Sequence, residues 1–178
     1  MLKILVVGYG SIGKRHIKNL KNYKNIEIII LTKRISDKFL KKEKYKIVNS
    51  IDNAIKEKPY AAFITNDTNQ HVDVALKLAK NGIHLFIEKP LSDSLKKINQ
   101  LEKIIKEKKI ISQVGCNLRF HPCIKKIKEL IIKNKIGKPF SIHVENGSYL
   151  PDWHPNENYK KSYASNQKQG GGVILTNI

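Results

Sequence analysis

The chain has little of what marks a membrane, secreted or metal-dependent protein. No apolar run in its 178 residues approaches the roughly 20 that a membrane-spanning helix needs. The start, Met1-Leu2-Lys3-Ile4, passes straight into a strand-like segment without the basic region and small-residue cleavage site of a secretory leader. A cytoplasmic location is therefore expected. Only two cysteines occur, Cys116 and Cys123, too few and too far apart for a C-x-x-C redox pair or a zinc site. They are expected to be ordinary buried or semi-buried thiols. His121, His143 and His154 lack metal-ligand spacing, so no metal is expected. Arginine is scarce as well: the formal charge of +19 rests on lysine, with Arg15, Arg34 and Arg119 the only arginines. Nucleic-acid readers favour arginine and gather charge on one element. Lysine spread over every helix face predicts weak, salt-sensitive attraction to polyanions and no specific nucleic-acid partner.

What is present is a rhythm of short apolar runs and amphipathic stretches. Residues 3–7 (KILVV) read as a strand buried on both faces, followed by a glycine-rich turn and a helix over 14–22. Further strands are expected at 26–31, 45–48, 60–65, 84–87 and 110–114. Between them lie a short helix at 52–58, one carrying Val72, Ala75, Leu76 and Ala79 on a single face and closed by Gly82, and one carrying Leu95, Ile98, Leu101 and Ile105 that starts at Ser92 or Asp93. Strands alternating with helices predict an α/β fold: a doubly wound parallel sheet with right-handed crossovers over residues 1–120. After His121-Pro122 the rhythm changes. A helix marked by Ile124, Ile127 and Ile131 and ended by Gly137 precedes an alternating, half-buried strand at 140–145 and a polar loop over 146–169. Residues 121–178 read as the beginning of an incomplete second α/β domain.

The turn after the first strand is Gly8-Tyr9-Gly10-Ser11-Ile12-Gly13, a G-x-G-x-x-G between strand and helix. In that context it fits a dinucleotide-binding turn. Gly8 allows the tight bend, Gly10 lets backbone approach a diphosphate, and Gly13 lets helix and strand pack closely. The N–H groups around Ser11 and Ile12 then meet the phosphates at the positive end of the helix dipole. The end of the second strand decides between NAD(H) and NADP(H) in such folds, because a carboxylate there binds the ribose hydroxyls and repels a 2′-phosphate. Here stand Leu31-Thr32-Lys33-Arg34 with no carboxylate. Thr32 and Arg34 suit a 2′-phosphate, which favours NADP(H) over NAD(H). At the end of the fifth strand Glu88-Lys89-Pro90 places an amine on the edge where open α/β sheets bind ligands. A lysine there can exchange a proton with a substrate hydroxyl.

Together the stretches GYGSIGKRH (8–16), TNDTNQH (65–71), EKPL (88–91), GCNLRFHP (115–122) and GGGVIL (170–175) resemble the Gfo/Idh/MocA family of oxidoreductases, in family order along nearly the whole chain. The resemblance implies a Rossmann domain followed by an α/β domain whose sheet covers the nicotinamide and helps form oligomers in a full-length form. It implies hydride transfer on a hydroxyl or ketone of a sugar, nucleotide sugar or cyclitol. Lys89 corresponds to the family's active-site lysine, framed by Glu88 and Pro90. Thr65, Asn66 and His71 fall in the loop beside the cofactor, and Asn117 and Arg119 at the nicotinamide edge. For His71 alone, a structural role capping the next helix competes with ligand contact, and His16 reads as structural packing. Trp153 and His154, in a loop similar to substrate-side loops of sugar-acting members, are candidate substrate contacts.

Two departures matter. Thr176 stands where the family usually has an aspartate after the triple glycine, and the family's proton-transfer histidine one helical turn further on does not occur within the 178 residues. The expectation is a truncated oxidoreductase with impaired turnover. The alternatives are a non-catalytic dinucleotide-binding or sensor module, and a polyanion-binding protein resting on charge alone.

Overall fold

The computed structural model describes residues 1–33, 40, 45–147, 149–153, 158–161 and 165–172. Six strands, β1 (Leu2–Val7), β2 (Ile26–Leu31), β3 (Lys46–Val48), β4 (Ala61–Ile64), β5 (His84–Ile87) and β6 (Ser112–Val114), form one sheet in the order β3-β2-β1-β4-β5-β6. Every neighbouring pair is parallel. This is the expected doubly wound sheet. The chain runs outward from β1 to β3 and then returns to β4 on the other side, which opens a crevice at the carboxyl ends of β1 and β4.

Register decides what meets there. Val7 aligns with Leu31 and with Ile64, Ile64 with Ile87, and Ile87 with Val114. The residues that follow these partners, Thr32, Gly8, Thr65, Glu88 and Gly115, therefore succeed one another along the same carboxyl edge. Positions scattered over more than a hundred residues of sequence become one row.

Both sheet faces are covered, as the near-continuous apolar strands require. On one face α1 (Ser11–Leu20) buries Ile17 and Leu20 against Ile4, Val6, Ile28 and Ile30. On the other, α3 (His71–Lys80) buries Val72, Ala75, Leu76, Leu78 and Ala79 against Leu5, Val7, Ile29, Ala62, Ile64 and Leu85; α2 (Ile51–Lys56) contributes Ala54 and α4 (Ile98–Glu107) contributes Leu101. Burial of each large side chain stabilises the fold by about 1.5–3 kcal/mol, so the core secures the row of strand ends.

The structure corrects several expectations. Helix α1 begins at Ser11, because Lys14 N–H already donates to Gly10 C=O (3.0 Å) and closes the first turn inside the glycine motif. Helix α4 begins at Ile98 and not at Ser92 or Asp93. The Ser92 hydroxyl accepts instead from Ser94 N–H (3.2 Å), a local turn that competes with a helical cap, and Leu95 is left exposed. Helix α5 (Pro122–Ile132) forms with Pro122 in its first turn, as the pattern predicts, yet Ile124, Ile127 and Ile131 are exposed. Residues 140–145 make no strand: Phe140 and Val144 are 97% and 81% exposed, and no described strand pairs with them. An alternating sequence becomes a strand only beside a neighbour that takes its backbone hydrogen bonds. Cys116 and Cys123, expected to be buried or semi-buried, are both exposed free thiols in the region beyond β6. Among the described residues no helix is long and apolar enough to cross a membrane.

Candidate functional site

The glycine-rich turn is shaped by three different steric demands. Gly8 has φ +95°, a left-handed conformation, and a Cβ there would lie 2.9 Å from Asn66 N. At Gly13 a Cβ would lie 2.3 Å from Gly8 O and 2.9 Å from Thr65 Oγ1, so only hydrogen lets α1 sit down on β1. Gly10 is different. Its backbone is extended (φ −83°, ψ −168°), and a Cβ would meet nothing within 4 Å. The packing of the protein leaves room for a side chain at this position, so the turn is open to a group approaching from outside. Immediately after it, α1 begins with no side chain capping it and no acidic residue in its first turn. The N–H groups from Ser11 to Gly13 thus carry the helix's partial positive charge outward. Tyr9, between the first two glycines, is buried in the core, with the Lys14 ammonium 4.7 Å from its ring centre.

The loop after β4 locks this turn. Thr65 donates its hydroxyl to Val7 O (2.8 Å) and lies 3.3 Å from Gly8 O, so it ties β4 to the tip of β1. Asn66 donates through Nδ2 to Gln70 Oε1 (3.3 Å), while its Oδ1 is buried without a partner among the described residues. A buried acceptor without a donor costs about 1–3 kcal/mol, and a ligand N–H or O–H arriving in the crevice would remove that cost. His71 is buried, but its ring does not cap the next helix, whose cap position is Gln70 and carries no side-chain cap hydrogen bond. Its ring is 1% exposed, with Nδ1 2.9 Å from Pro90 O and Nε2 2.9 Å from Asn66 O. It clamps the loops after β4 and β5 together and offers no face to a ligand.

Lys89 stands exposed on the edge beyond β5. Its position is set from two sides: Pro90 C=O is held by His71, and the Lys89 N–H lies 3.3 Å from the Glu88 carboxylate. Glu88 N–H donates to Ile64 O (3.0 Å), and its Oε1 lies 2.7 Å from His16 Nε2. The sequence identifies neither tie, because each joins residues brought together only by the crossovers. Thr68 is a further residue it does not single out: it is buried, and a Cβ at Gly170 would lie 2.7 Å from its own. With the Asn69 Nδ2 donation to Lys168 O (3.2 Å), this seats the segment around Gly170 against the loop after β4.

The remaining predicted residues are less gathered. Thr32 is buried at the end of β2, its N–H donating to Val48 O (3.1 Å), with Lys33 exposed beside it. Arg34 lies outside the described residues. Asn117 and Arg119 are exposed on the 3-10 turn Asn117–Phe120 that follows β6, at the same edge as Lys89. Trp153 closes a helical turn, Leu150–Trp153, and His154 lies outside the described residues. The edge therefore combines an uncapped helix start, an open glycine, an unpartnered buried acceptor and an amine. Such a set can hold a diphosphate and a polar ring and can move one proton.

Residues 2–116 match the oxidoreductase family with an NAD-binding Rossmann fold. The chain is 30% identical over 159 residues to the myo-inositol 2-dehydrogenase of Thermotoga maritima, covering 84% of this chain and 46% of that enzyme. It is 39% identical over 79 residues to the scyllo-inositol 2-dehydrogenase (NAD(+)) of Bacillus subtilis, covering 44% and 23%. Among solved structures, a probable dehydrogenase from Thermotoga maritima superposes with a TM-score of 0.69 at 31% identity, over 78% of this chain and 43% of that one. The chain spans about half the length of the relatives it matches along most of its sequence.

Proposed function

The chain belongs to the Gfo/Idh/MocA oxidoreductase family, whose NAD-binding Rossmann fold it contains, and from that premise we propose that it binds a nicotinamide dinucleotide in the crevice beside β1 and serves hydride transfer on a sugar, nucleotide-sugar or cyclitol carbon bearing a hydroxyl or ketone. The observation that carries this reading is the glycine motif itself. Gly8 and Gly13 are demanded by the packing of the fold, whereas at Gly10 the packing leaves open space beside an uncapped helix start, which suits a group that comes against its backbone.

In this reading the backbone N–H groups of Ser11, Ile12 and Gly13 hold the diphosphate, since no side chain competes for them. Asn66 Oδ1 accepts from the ligand's ribose or carboxamide. Asn117 and Arg119 border the nicotinamide and orient the substrate beside it. Lys89 Nζ takes the proton from the substrate hydroxyl in oxidation and returns it in reduction. The bound nicotinamide supplies the hydride acceptor or donor. Thr32 and Lys33, with Arg34, favour a 2′-phosphate over bare ribose hydroxyls, so NADP(H) is proposed as the preferred form. Residues 1–120 form the dinucleotide-binding unit; residues 121–178 belong to a second, substrate-side unit in which Trp153 and His154 contact the substrate and which joins copies in a full-length form. The exposed free thiols suit a reducing compartment, the cytoplasm.

A second reading, a dinucleotide-binding sensor without turnover, is favoured by Thr176 in place of the family's aspartate. One experiment separates the two. Dinucleotide reduction is followed by absorbance with a panel of sugars, nucleotide sugars and cyclitols, alongside fluorescence titration with NADH and NADPH. Binding with turnover of any panel member supports the oxidoreductase; binding without turnover supports the sensor; no binding of either nucleotide removes both.

A further inference from the structure

Lys89 can serve a proton only if its exposed loop is held still, and the hold comes from a polar contact buried where the core would otherwise be apolar. His16, halfway along α1, places Nε2 2.7 Å from Glu88 Oε1, with both side chains less than a fifth exposed (16% and 18%). The imidazole packs against both Phe63 and Phe86, ring centres 5.0 and 5.2 Å away, and those two rings also touch each other at 4.9 Å, so its aim is set by packing. The carboxylate is closely packed as well. A Cβ at Gly115 would come 3.1 Å from Glu88 Oε2 and 3.2 Å from Phe86 Cζ, so the glycine at the end of β6 gives the carboxylate its room. The same Oε2 lies 3.3 Å from the N–H of Lys89. Two polar groups largely withdrawn from water contribute little to stability, because their desolvation offsets their attraction. What such a contact contributes is orientation.

We propose that His16 and Glu88 act as a strut that fixes the lysine loop relative to α1, the helix whose first turn faces the ligand, which makes His16 a positioning residue for Lys89. The inference rests on the functional reading above. It adds that the two ends of the crevice are mechanically joined: the helix that meets the diphosphate also holds, through its second turn, the residue that orients the lysine backbone.

The test uses the full 178-residue chain and three variants. His16→Phe keeps a ring against Phe63 and Phe86 without a donor, His16→Gln restores a donor at similar reach, and Glu88→Leu removes the acceptor. Hydrogen exchange at the Lys89 amide, the rate of acetylation of Lys89 by mass spectrometry, the melting temperature and NADH affinity are measured on each. The strut predicts a protected Lys89 amide in the unaltered chain, with exchange about fivefold faster or more in His16→Phe and Glu88→Leu. Acetylation of Lys89 changes in the same two variants, NADH affinity of His16→Phe stays within about threefold, and His16→Gln returns both lysine readouts toward the original. Exchange at Lys89 as fast as in an unstructured peptide in the unaltered chain overturns the proposal, even if the variants fail to fold. So does unchanged exchange and acetylation in a folded His16→Phe, or a His16→Gln that restores neither. Failure of NADH to bind the unaltered chain is a different result: it removes the functional reading, while the exchange data still judge the strut.

Discussion

Replacing Gly10 and Gly13 separately with alanine asks whether the glycine-rich turn is shaped for a ligand or only for the fold. At Gly10 the added methyl meets nothing within 4 Å, and the extended backbone is one alanine adopts freely. Two small effects then oppose each other. Reduced freedom of the unfolded chain stabilises by about 0.4–1 kcal/mol, and alanine is a poorer residue than glycine at a helix N-cap by a similar amount. The net change in unliganded stability is near zero. At Gly13 the methyl would stand 2.3 Å from a carbonyl oxygen of the backbone, which cannot rotate away. Relief requires α1 to lift from β1, an overpacking cost of about 1–3 kcal/mol or more. For a chain of this size that lowers the melting temperature by roughly 2–4 °C per kcal/mol. The assays are thermal unfolding by circular dichroism and fluorescence titration with NADH and NADPH. Gly10→Ala is expected to melt with the unaltered chain yet lose about tenfold or more in dinucleotide affinity, or about 1.4 kcal/mol. Gly13→Ala is expected to melt several degrees lower. Gly10→Ala that binds as tightly as the unaltered chain would refute the reasoning, because the open space at that position would then have no occupant.

Other outcomes follow from the same contacts. Asn66→Ala removes a buried acceptor that has no donor, so unliganded stability is expected to hold or rise slightly while dinucleotide affinity falls severalfold, read by the same melting and titration pair. His71→Leu removes the ring that bridges Asn66 O and Pro90 O and leaves the carbonyl to which its N–H donates without a partner in the interior, and a loss of about 1–3 kcal/mol should appear as a lower denaturant midpoint. Glu57, at the opposite end of the sheet, has its carboxyl held below the ordinary value, first by the hydrogen bond from Lys46, which outweighs the opposing effect of burial, and then by the charges of Lys46 and Lys3 and the hydrogen bond from Lys3. A folded-state value below the unfolded one contributes stability above the ordinary carboxylate range and loses it as pH falls through the folded value. Glu57→Gln is therefore expected to be the less stable protein near neutrality and to converge with the unaltered chain as the pH drops below about 4; parallel stability curves across that range would contradict the assignment.

The sheet was legible because strands buried on both faces must be apolar throughout, and runs such as residues 3–7 and 26–31 admit little else. The glycine motif was legible because its meaning depends on local neighbours, a strand before and a helix after. Helix starts were harder: Ser92 looks like a cap, but its hydroxyl closes a turn on Ser94 and the helix waits until Ile98. The alternating segment at 140–145 carries a strand's pattern without a described neighbour, so pattern and structure part there. The ties that hold the candidate site between elements, His16 to Glu88, His71 to Pro90, and Thr65 to Val7, were beyond any sequence reading, because they join residues 19 to 72 positions apart and exist only once the register has placed the strand ends in a row.

The most direct measurement is an NMR titration of the isotopically labelled chain with NADH and with NADPH, following backbone amides. Saturable shifts concentrated in residues 8–13, at Asn66 and at residues 88–89, with little change at Glu57 or along α2, are the predicted result. A titration that leaves residues 8–13 unmoved, or moves only lysine-rich helix surfaces in a way that added salt abolishes, would contradict the account.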